Sequence, residues 1–298
     1  MSYIIHKANW STDERVYSGS MLVQNGRIQG IQPEYSYYRY MRMNLEPFTL
    51  TPTHTMADWN FPVTASNQEK QEYINTQFLQ KGCTTVLVFL PIKYEYQLES
   101  TLKEARKGLQ EIGIDYTLGI TCPFEIVTLD FVRKCKRYKI PIIRVQFTSN
   151  EQVNEIKWSW IKQALDRYPI VFAPHFNTKN DTISQERKEL VWQKTLQKDK
   201  IPFIPAPMKA YRPLPIRYLK KIGIYPKRGN FLVGGEISYN LYYPSENTKV
   251  EEEPRIHYDN DRLLLTVLRE KTVKLFDQTF SDETIGQEII IKTPAFFV

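Results

Sequence analysis

The chain carries only four histidines and three cysteines in 298 residues. Cys83, Cys122 and Cys135 are odd in number, widely spaced and without a C-x-x-C pair. That pattern argues against a disulfide framework and leads us to expect reduced thiols in a cytoplasmic protein. His6, His54, His175 and His257 are scattered as well. No cluster of His, Cys and carboxylates stands at metal-ligand spacing, whereas hydrolytic zinc needs about three firm N, O or S ligands, so neither metal nor cofactor is expected. No G-x-S-x-G elbow precedes a helix, and no Gly-rich phosphate loop is visible. The longest apolar stretches, near residues 86–90 and 140–143, are far too short to span a bilayer. The opening Met1-Ser2-Tyr3-Ile4-Ile5-His6-Lys7 lacks an apolar signal region and a cleavage site, so no signal peptide is expected. Low-complexity tracts and fixed-period repeats are absent too.

What is present is an ordinary globular balance, 42% hydrophobic and 24% charged. The net charge of +7 is concentrated. Between Lys198 and Arg228 lie nine Lys/Arg and a single acid, Asp199. An acidic partner, an anionic ligand or nucleic acid could use such a patch; the plainer reading is a solvated basic face. A second basic, aromatic run surrounds Tyr35, Tyr37, Tyr38, Arg39 and Tyr40. Aromatics with Arg can stack on single strands, but Tyr also suits strands and interfaces. With no recognisable binding module beside the run, nucleic acid is not the expected partner.

The layout along the chain is β, then βα repeats, then β. Residues 3–8, 16–24 and 27–32 read as strands, with Asn25-Gly26 supplying a tight hairpin turn. From residue 52, short apolar runs at 53–59, 83–90, 115–121, 141–147, 169–175 and 202–206 alternate with helical stretches at 66–80, 97–112, 127–138, 151–168, 184–198 and 215–222. Leu98, Leu102, Ala105, Leu109 and Ile112, three or four apart, form one apolar stripe. Repeated βα units imply a parallel sheet with covering helices. After Pro226 strand texture returns at 230–234, 239–243, 262–269, 273–277 and 288–292, interrupted by a polar, acidic loop at 245–254. The two outer β segments are too small to stand alone. They are expected to pair into one composite β-sandwich, from residues 1–51 plus 223–298, beside a (β/α) barrel-like domain of residues 52–222.

Several motifs on this layout resemble the amidohydrolase superfamily, particularly its dihydroorotase-like and deacetylase-like branches. Residues 18–31, with Val23-Gln24-Asn25-Gly26-Arg27-Ile28, look like the family's early hairpin "G-x-(I/L)-x-I-x-N-G-R-I-x-x-I". Lys81-Gly82-Cys83-Thr84-Thr85-Val86 looks like its "G-G-x-T-T-(V/F)" entry into the second barrel strand. Residues 222–234, with Lys227-Arg228-Gly229-Asn230, are similar to its return into the β domain. The resemblance implies a TIM-like (β/α) barrel with a composite β-sandwich and a divalent metal held by "H-x-H" at the end of the first strand. Here the stretch reads Met56-Ala57-Asp58-Trp59-Asn60, placing Asp58 and Asn60 at the two histidine positions and pointing into the barrel. The family's fourth-strand carboxylated Lys would correspond to Arg144 or Gln146, and its fifth-strand His to His175. Arg is permanently cationic and cannot bridge metals. The sixth-strand His and eighth-strand Asp find no counterpart. The resemblance is therefore to a degenerate member.

Eight βα units take about 200–250 residues, and residues 52–222 hold about six, so the barrel is expected to be shortened or distorted, with open edges. A second subunit, a helix or the sandwich would cover them, which makes a homodimer or a related subunit the expected partner. Candidate residues at the strand ends are Asp58, Asn60, Lys93, Cys122, Arg144, Gln146, His175, Asn177 and Lys209. Asp58, Arg144 and His175 could bind a small anionic or polar ligand; alternatively Asp58 and Arg144 form an internal salt bridge where the metal was lost. Cys122 reads as a buried thiol rather than a nucleophile. Three functions follow: a non-catalytic binding, scaffold or regulatory protein; a divergent hydrolase of C–N bonds in a small anionic amide or cyclic amide; or an acidic-partner or nucleic-acid binder through the basic stretch at 198–228.

Overall fold

The structure, a computed structural model, describes residues 2–11, 16–177, 184–243, 262–280 and 286–297. The acidic loop at 245–254 and His257 fall outside them. The N-terminal strands are β1 (Ser2–Ser11), β2 (Val16–Gln24), β3 (Arg27–Gln32), β4 (Met41–Asn44) and β5 (Thr49–Pro52). The β2–β3 hairpin turns on Asn25 (φ +50°) and Gly26 (φ +71°), the left-handed pair its sequence requires.

The βα region runs β6 (His54–Asp58), α1 (Asn67–Gln77), β7 (Cys83–Pro91), α2 (Leu98–Gly108), β8 (Asp115–Pro123), α3 (Leu129–Arg137), β9 (Ile142–Phe147), α4 (Gln152–Glu155), α5 (Trp158–Ala164), β10 (Val171–Phe176), α6 (Gln185–Lys198) and α7 (Ile216–Ile222). A capping box starts α1: Glu69 N donates to Ser66 Oγ (3.3 Å), and Ser66 N to Glu69 Oε2 (2.9 Å). The single helix expected over 151–168 breaks instead at Ile156, whose backbone is extended. The break lets Trp158 bury its ring edge-on to Phe172 and Trp192 and donate from Nε1 to Val153 O (2.8 Å). The chain closes with β11 (Ser238–Tyr242), β12 (Leu263–Leu268), β13 (Lys271–Leu275) and β14 (Gln278–Thr279).

Both chain ends enter one nine-stranded sheet, joined where β11 pairs antiparallel with β5. Along its other edge β1 pairs β2, while β4 and β5 share the remaining side in succession. A left-handed Gly82 (φ +68°) fastens this sheet to the βα region. Asn240 Nδ2 donates to Gly82 O (2.9 Å), and a Cβ at residue 82 would meet that Asn side chain at 2.6 Å. The Lys81-Gly82-Cys83 motif therefore has a packing reason.

Strands β6 to β10 form a parallel sheet in chain order, a shortened TIM-like barrel. Five strands are regular rather than six. The expected strand at 202–206 makes only a bridge, Phe203 to Phe172. Pro202, Pro205, Pro207, Pro213 and Pro215 crowd this stretch, and proline cannot donate to a ladder. The same stretch does something the sequence did not suggest: it spans both edges. Ile204 N donates to Phe172 O on β10 (2.8 Å), while Tyr211 N and Leu214 N donate to Ala57 O and Thr55 O on β6 (3.2 and 2.8 Å). The open edges expected from the strand count are thus covered by the chain itself, so they give no reason to invoke a second subunit.

The barrel interior is filled from unexpected sources. Ala57, Leu87, Phe89, Ile142, Val171 and Ala173 of the strands pack with Leu219 and Ile222 of α7 and with Ile289 and Ile291 near the C-terminus. The C-terminal segment enters beside β8: Tyr116 N donates to Gln287 O (3.0 Å) and Ile289 N to Tyr116 O (2.7 Å). A side chain at Gly286 could not be accommodated, since its Cβ would lie 1.9 Å from Ile112 O. Residues 230–234, expected as a strand, form a turn instead.

Candidate functional site

Alternation along each barrel strand decides which residues face the interior. Met56 belongs to the core between sheet and helices, with Phe61, Ile74 and Phe78, while Ala57 belongs to the interior. Asp58 therefore shares the outer face with Met56. Fully buried, it accepts from Tyr73 Oη of α1 (2.8 Å), Tyr211 Oη (3.3 Å) and Asn60 N (2.8 Å). Tyr73 and Tyr211 bond each other as well (2.9 Å). Burial first, then the bonds to Tyr211 and Asp58, push the Tyr73 phenol well above its usual range. This is a tie holding α1, β6 and the edge-spanning segment together. The expectation that Asp58 and Asn60 point into the barrel is corrected: the inward positions at the end of β6 are Ala57 and Trp59, and Asn60 is exposed.

Arg144 does face the interior, between the outer-core residues Ile143 and Val145. Only 5% exposed, its guanidinium carbon stands 4.2 Å from the centroid of the Trp59 ring. Neither the expected salt bridge nor a joint Asp58–Arg144 ligand site forms, because the two side chains leave their sheet on opposite faces. Among the described residues no carboxylate or carbonyl accepts from Arg144 in any bond found. Burial lowers its pKa to about 10, which leaves it charged at neutral pH. One strand over, His175 is half-buried, and burial followed by the Arg144 charge lowers its pKa to about 4. At neutral pH the pair is one cation beside one neutral imidazole.

Gln146 and His175 are in register on β9 and β10 at the mouth, and Asn177 follows with its N–H on Phe147 O (2.9 Å). Gln146, Asn177, Lys93 and Lys209 are exposed. Cys122 faces the helices, fully buried, and burial pushes its thiol far above the range of a nucleophile. His54 is buried at the opposite end of β6, its Nε2 2.7 Å from Tyr242 Oη. Sequence reasoning missed Trp59 and Thr121. Thr121 faces inward between the outer-core residues Ile120 and Cys122, in register with Arg144. Phase along the strand was the available signal, and these strands, apolar on both faces, conceal it.

Comparison with known proteins rests on structure. No family model and no curated protein matches the sequence. Among solved structures, a D-hydantoinase superposes with TM-score 0.67 at 11% identity, covering 98% of this chain and 99% of that one. The fold is that of the hydantoinases. A dihydropyrimidinase from Brevibacillus agri gives TM-score 0.67 at 10% identity with 99% of both chains covered, and an L-hydantoinase from Arthrobacter aurescens gives 0.63 at 11%, covering 97% of this chain and 99% of that one. The amidohydrolase resemblance read from the motifs is therefore met at the level of the fold.

A divalent metal is what that resemblance implies, and the donor set does not suit one. The interior end of β6 offers an alanine and an indole, and β9 offers a guanidinium. His175 is the single imidazole facing the mouth among the described residues, and no three His, Cys, Asp or Glu side chains gather there or elsewhere among them. No helix among the described residues is long and apolar enough to cross a membrane.

Proposed function

We propose that this hydantoinase-like fold serves as a non-catalytic binding protein, taking a small anion at the strand-end mouth of the barrel through Arg144. The observation that carries the reading is a buried guanidinium with an aromatic face beneath it and no acceptor among the described residues. Withdrawing a cation from water costs several kcal/mol. Stacking on Trp59 returns about 2 kcal/mol or somewhat more in a desolvated site. An anionic ligand supplies the rest, and the neutral His175 beside it leaves Arg144 as the charge that selects it. Titration calorimetry of the full chain with simple anions tests this. Heat of binding that disappears in Arg144→Gln supports it; heat unchanged in that variant rules it out.

The alternative, a divergent hydrolase of C–N bonds, draws on the names of the solved neighbours, hydantoinase and dihydropyrimidinase. Its chemistry would rest on His175 as base with Arg144 beside the developing anion. A base with a pKa near 4 is poorly matched to neutral pH, and Asp58 is turned away behind Tyr73. Hydrolysis of hydantoin or a dihydropyrimidine that vanishes in His175→Ala would favour this reading over ours. The basic stretch gives less support to an acidic partner. Arg228 is consumed in a buried ion cluster, and Lys221 donates to Phe203 O (2.9 Å), although Lys198, Lys200, Lys209, Arg212, Arg217 and Lys227 are exposed.

A further inference from the structure

The interior above the apolar filling is layered. Phe89, Ile142 and Val171 form a floor. One residue pair higher, the register places Thr121, Arg144 and Ala173 side by side on β8, β9 and β10. Above them Pro123, Gln146 and His175 form the rim. In the middle layer two polar side chains make no hydrogen bond to another described residue. Thr121 is 5% exposed, and its buried Oγ1 has no hydrogen-bond partner among the described residues. A buried hydroxyl is ordinarily satisfied, and this one lies on the strand next to the Arg144 guanidinium, whose contact among the described residues is the Trp59 ring. Thr55 and Thr85 also carry unpartnered hydroxyls, but near the starts of their strands, away from the mouth.

We infer that the ligand of this site is a small carboxylate, gripped by the Arg144 fork and by the Thr121 hydroxyl, with its remainder directed past His175 and Gln146 to solvent. The inference rests on the anion-binding reading above and deepens it. Charge decides between anion classes. The layer holds one cation, so a monoanion is neutralised, whereas phosphate or sulfate would leave a charge uncompensated in a partly desolvated pocket. Geometry agrees. A planar carboxylate takes two parallel N–H bonds from an arginine fork and keeps a lone pair for a hydroxyl donor. Trp59 offers the guanidinium a ring face and no acceptor, so the fork stays available. Ala173, on the other flank of Arg144, brings only a methyl group to this layer.

The test is calorimetry on the full chain at fixed ionic strength, with formate, acetate and benzoate against inorganic phosphate and sulfate. Thr121→Val, Thr121→Ser and Arg144→Gln are compared with the parent, and thermal midpoints confirm that each folds. The expected result is at least tenfold preference for a carboxylate. Thr121→Val should weaken binding about tenfold, as for loss of one hydrogen bond to a charged group, Thr121→Ser should retain it, and Arg144→Gln should abolish it. Phosphate or sulfate binding as tightly as the carboxylates, through Arg144, would leave the anion site standing and overturn the carboxylate assignment. Carboxylate binding indifferent to Thr121→Val would overturn the role of Thr121. No Arg144-dependent binding of any of the five anions would overturn both this inference and the reading beneath it.

Discussion

Replacing Asp115 by Asn keeps the shape of the side chain and removes its charge, and the consequence can be worked from its surroundings. Asp115 is fully buried at the start of β8. It accepts from Arg228 through Nε (3.0 Å) and Nη2, from Arg269 through Nη1 (3.2 Å) and Nη2 (2.7 Å), and from the backbone N–H of Gln287 (3.1 Å). Glu236 faces the same two guanidinium groups at 3.1 and 3.5 Å. Two carboxylates and two guanidinium groups balance. Asp115→Asn leaves the cluster with one more positive than negative charge around a buried side chain and turns an amide N–H₂ toward donors. Breaking a buried pair in this way costs about 3–5 kcal/mol, a large part of a typical folding stability of about 5–15 kcal/mol. Urea unfolding followed by tryptophan fluorescence should show a loss of that size, and limited proteolysis should show residues 286–297 cut earlier, because the Gln287 anchor is weakened. The double variant Asp115→Leu with Arg228→Met removes one charge of each sign and leaves Arg269 with Glu236. It should recover at least half of the loss. A change under about 1 kcal/mol for Asp115→Asn, or a double variant less stable than the single one, would refute the reasoning that charge balance holds this junction together.

Four further outcomes are expected. Arg144→Leu should raise the stability of the ligand-free protein by about 1–4 kcal/mol while ending anion binding; a lowered thermal midpoint would show that Arg144 has a protein partner after all. His54 and His175, with pKa values lowered by burial to about 3 and about 4, stay neutral in the fold while the unfolded chain takes up protons near its ordinary 6.5. The unfolded state then binds more protons between roughly pH 3 and 6.5, so stability should rise with pH across that window and level off above it; urea midpoints at pH 4.5 and 7 measure the slope, which His54→Gln should flatten. Tyr211→Phe deletes the bonds to Tyr73 and Asp58 and should cost about 1–2 kcal/mol, with faster hydrogen exchange at Tyr211 and Leu214. Gly286→Ala drives a Cβ into the carbonyls of Ile112 and Ile114 (1.9 and 2.4 Å) and should displace the C-terminal segment, read as early proteolysis there.

Much of the architecture was legible because local rules agree with the fold. The Asn25-Gly26 hairpin, the Ser66–Glu69 cap, the α2 stripe and the five regular barrel strands all follow from short-range patterns. The site was legible in part. Arg144 and His175 lie on inward positions as expected, whereas Asp58 and Asn60 do not. Alternation specifies that residues two apart share a face, but not which face is the interior. In β6 every residue is buried, so polarity along the strand carries no phase. Trp59, to which the motif reading gave no role, is the platform for Arg144.

Taken alone, the sequence determined the order of β and βα segments, the scarcity of metal ligands and an amidohydrolase-like layout, since each depends on near neighbours or on composition. Tertiary structure decided the rest. Prolines between residues 202 and 215 kept that segment from forming a sixth strand, and contacts on both sheet edges then made it the closure of the barrel. Packing of Met56 against α1 turned Asp58 outward and Trp59 inward. Whether a buried charge is paired depends on residues far away in the chain: Asp115 found two arginines more than a hundred positions distant, and Arg144, among the described residues, found only an aromatic ring.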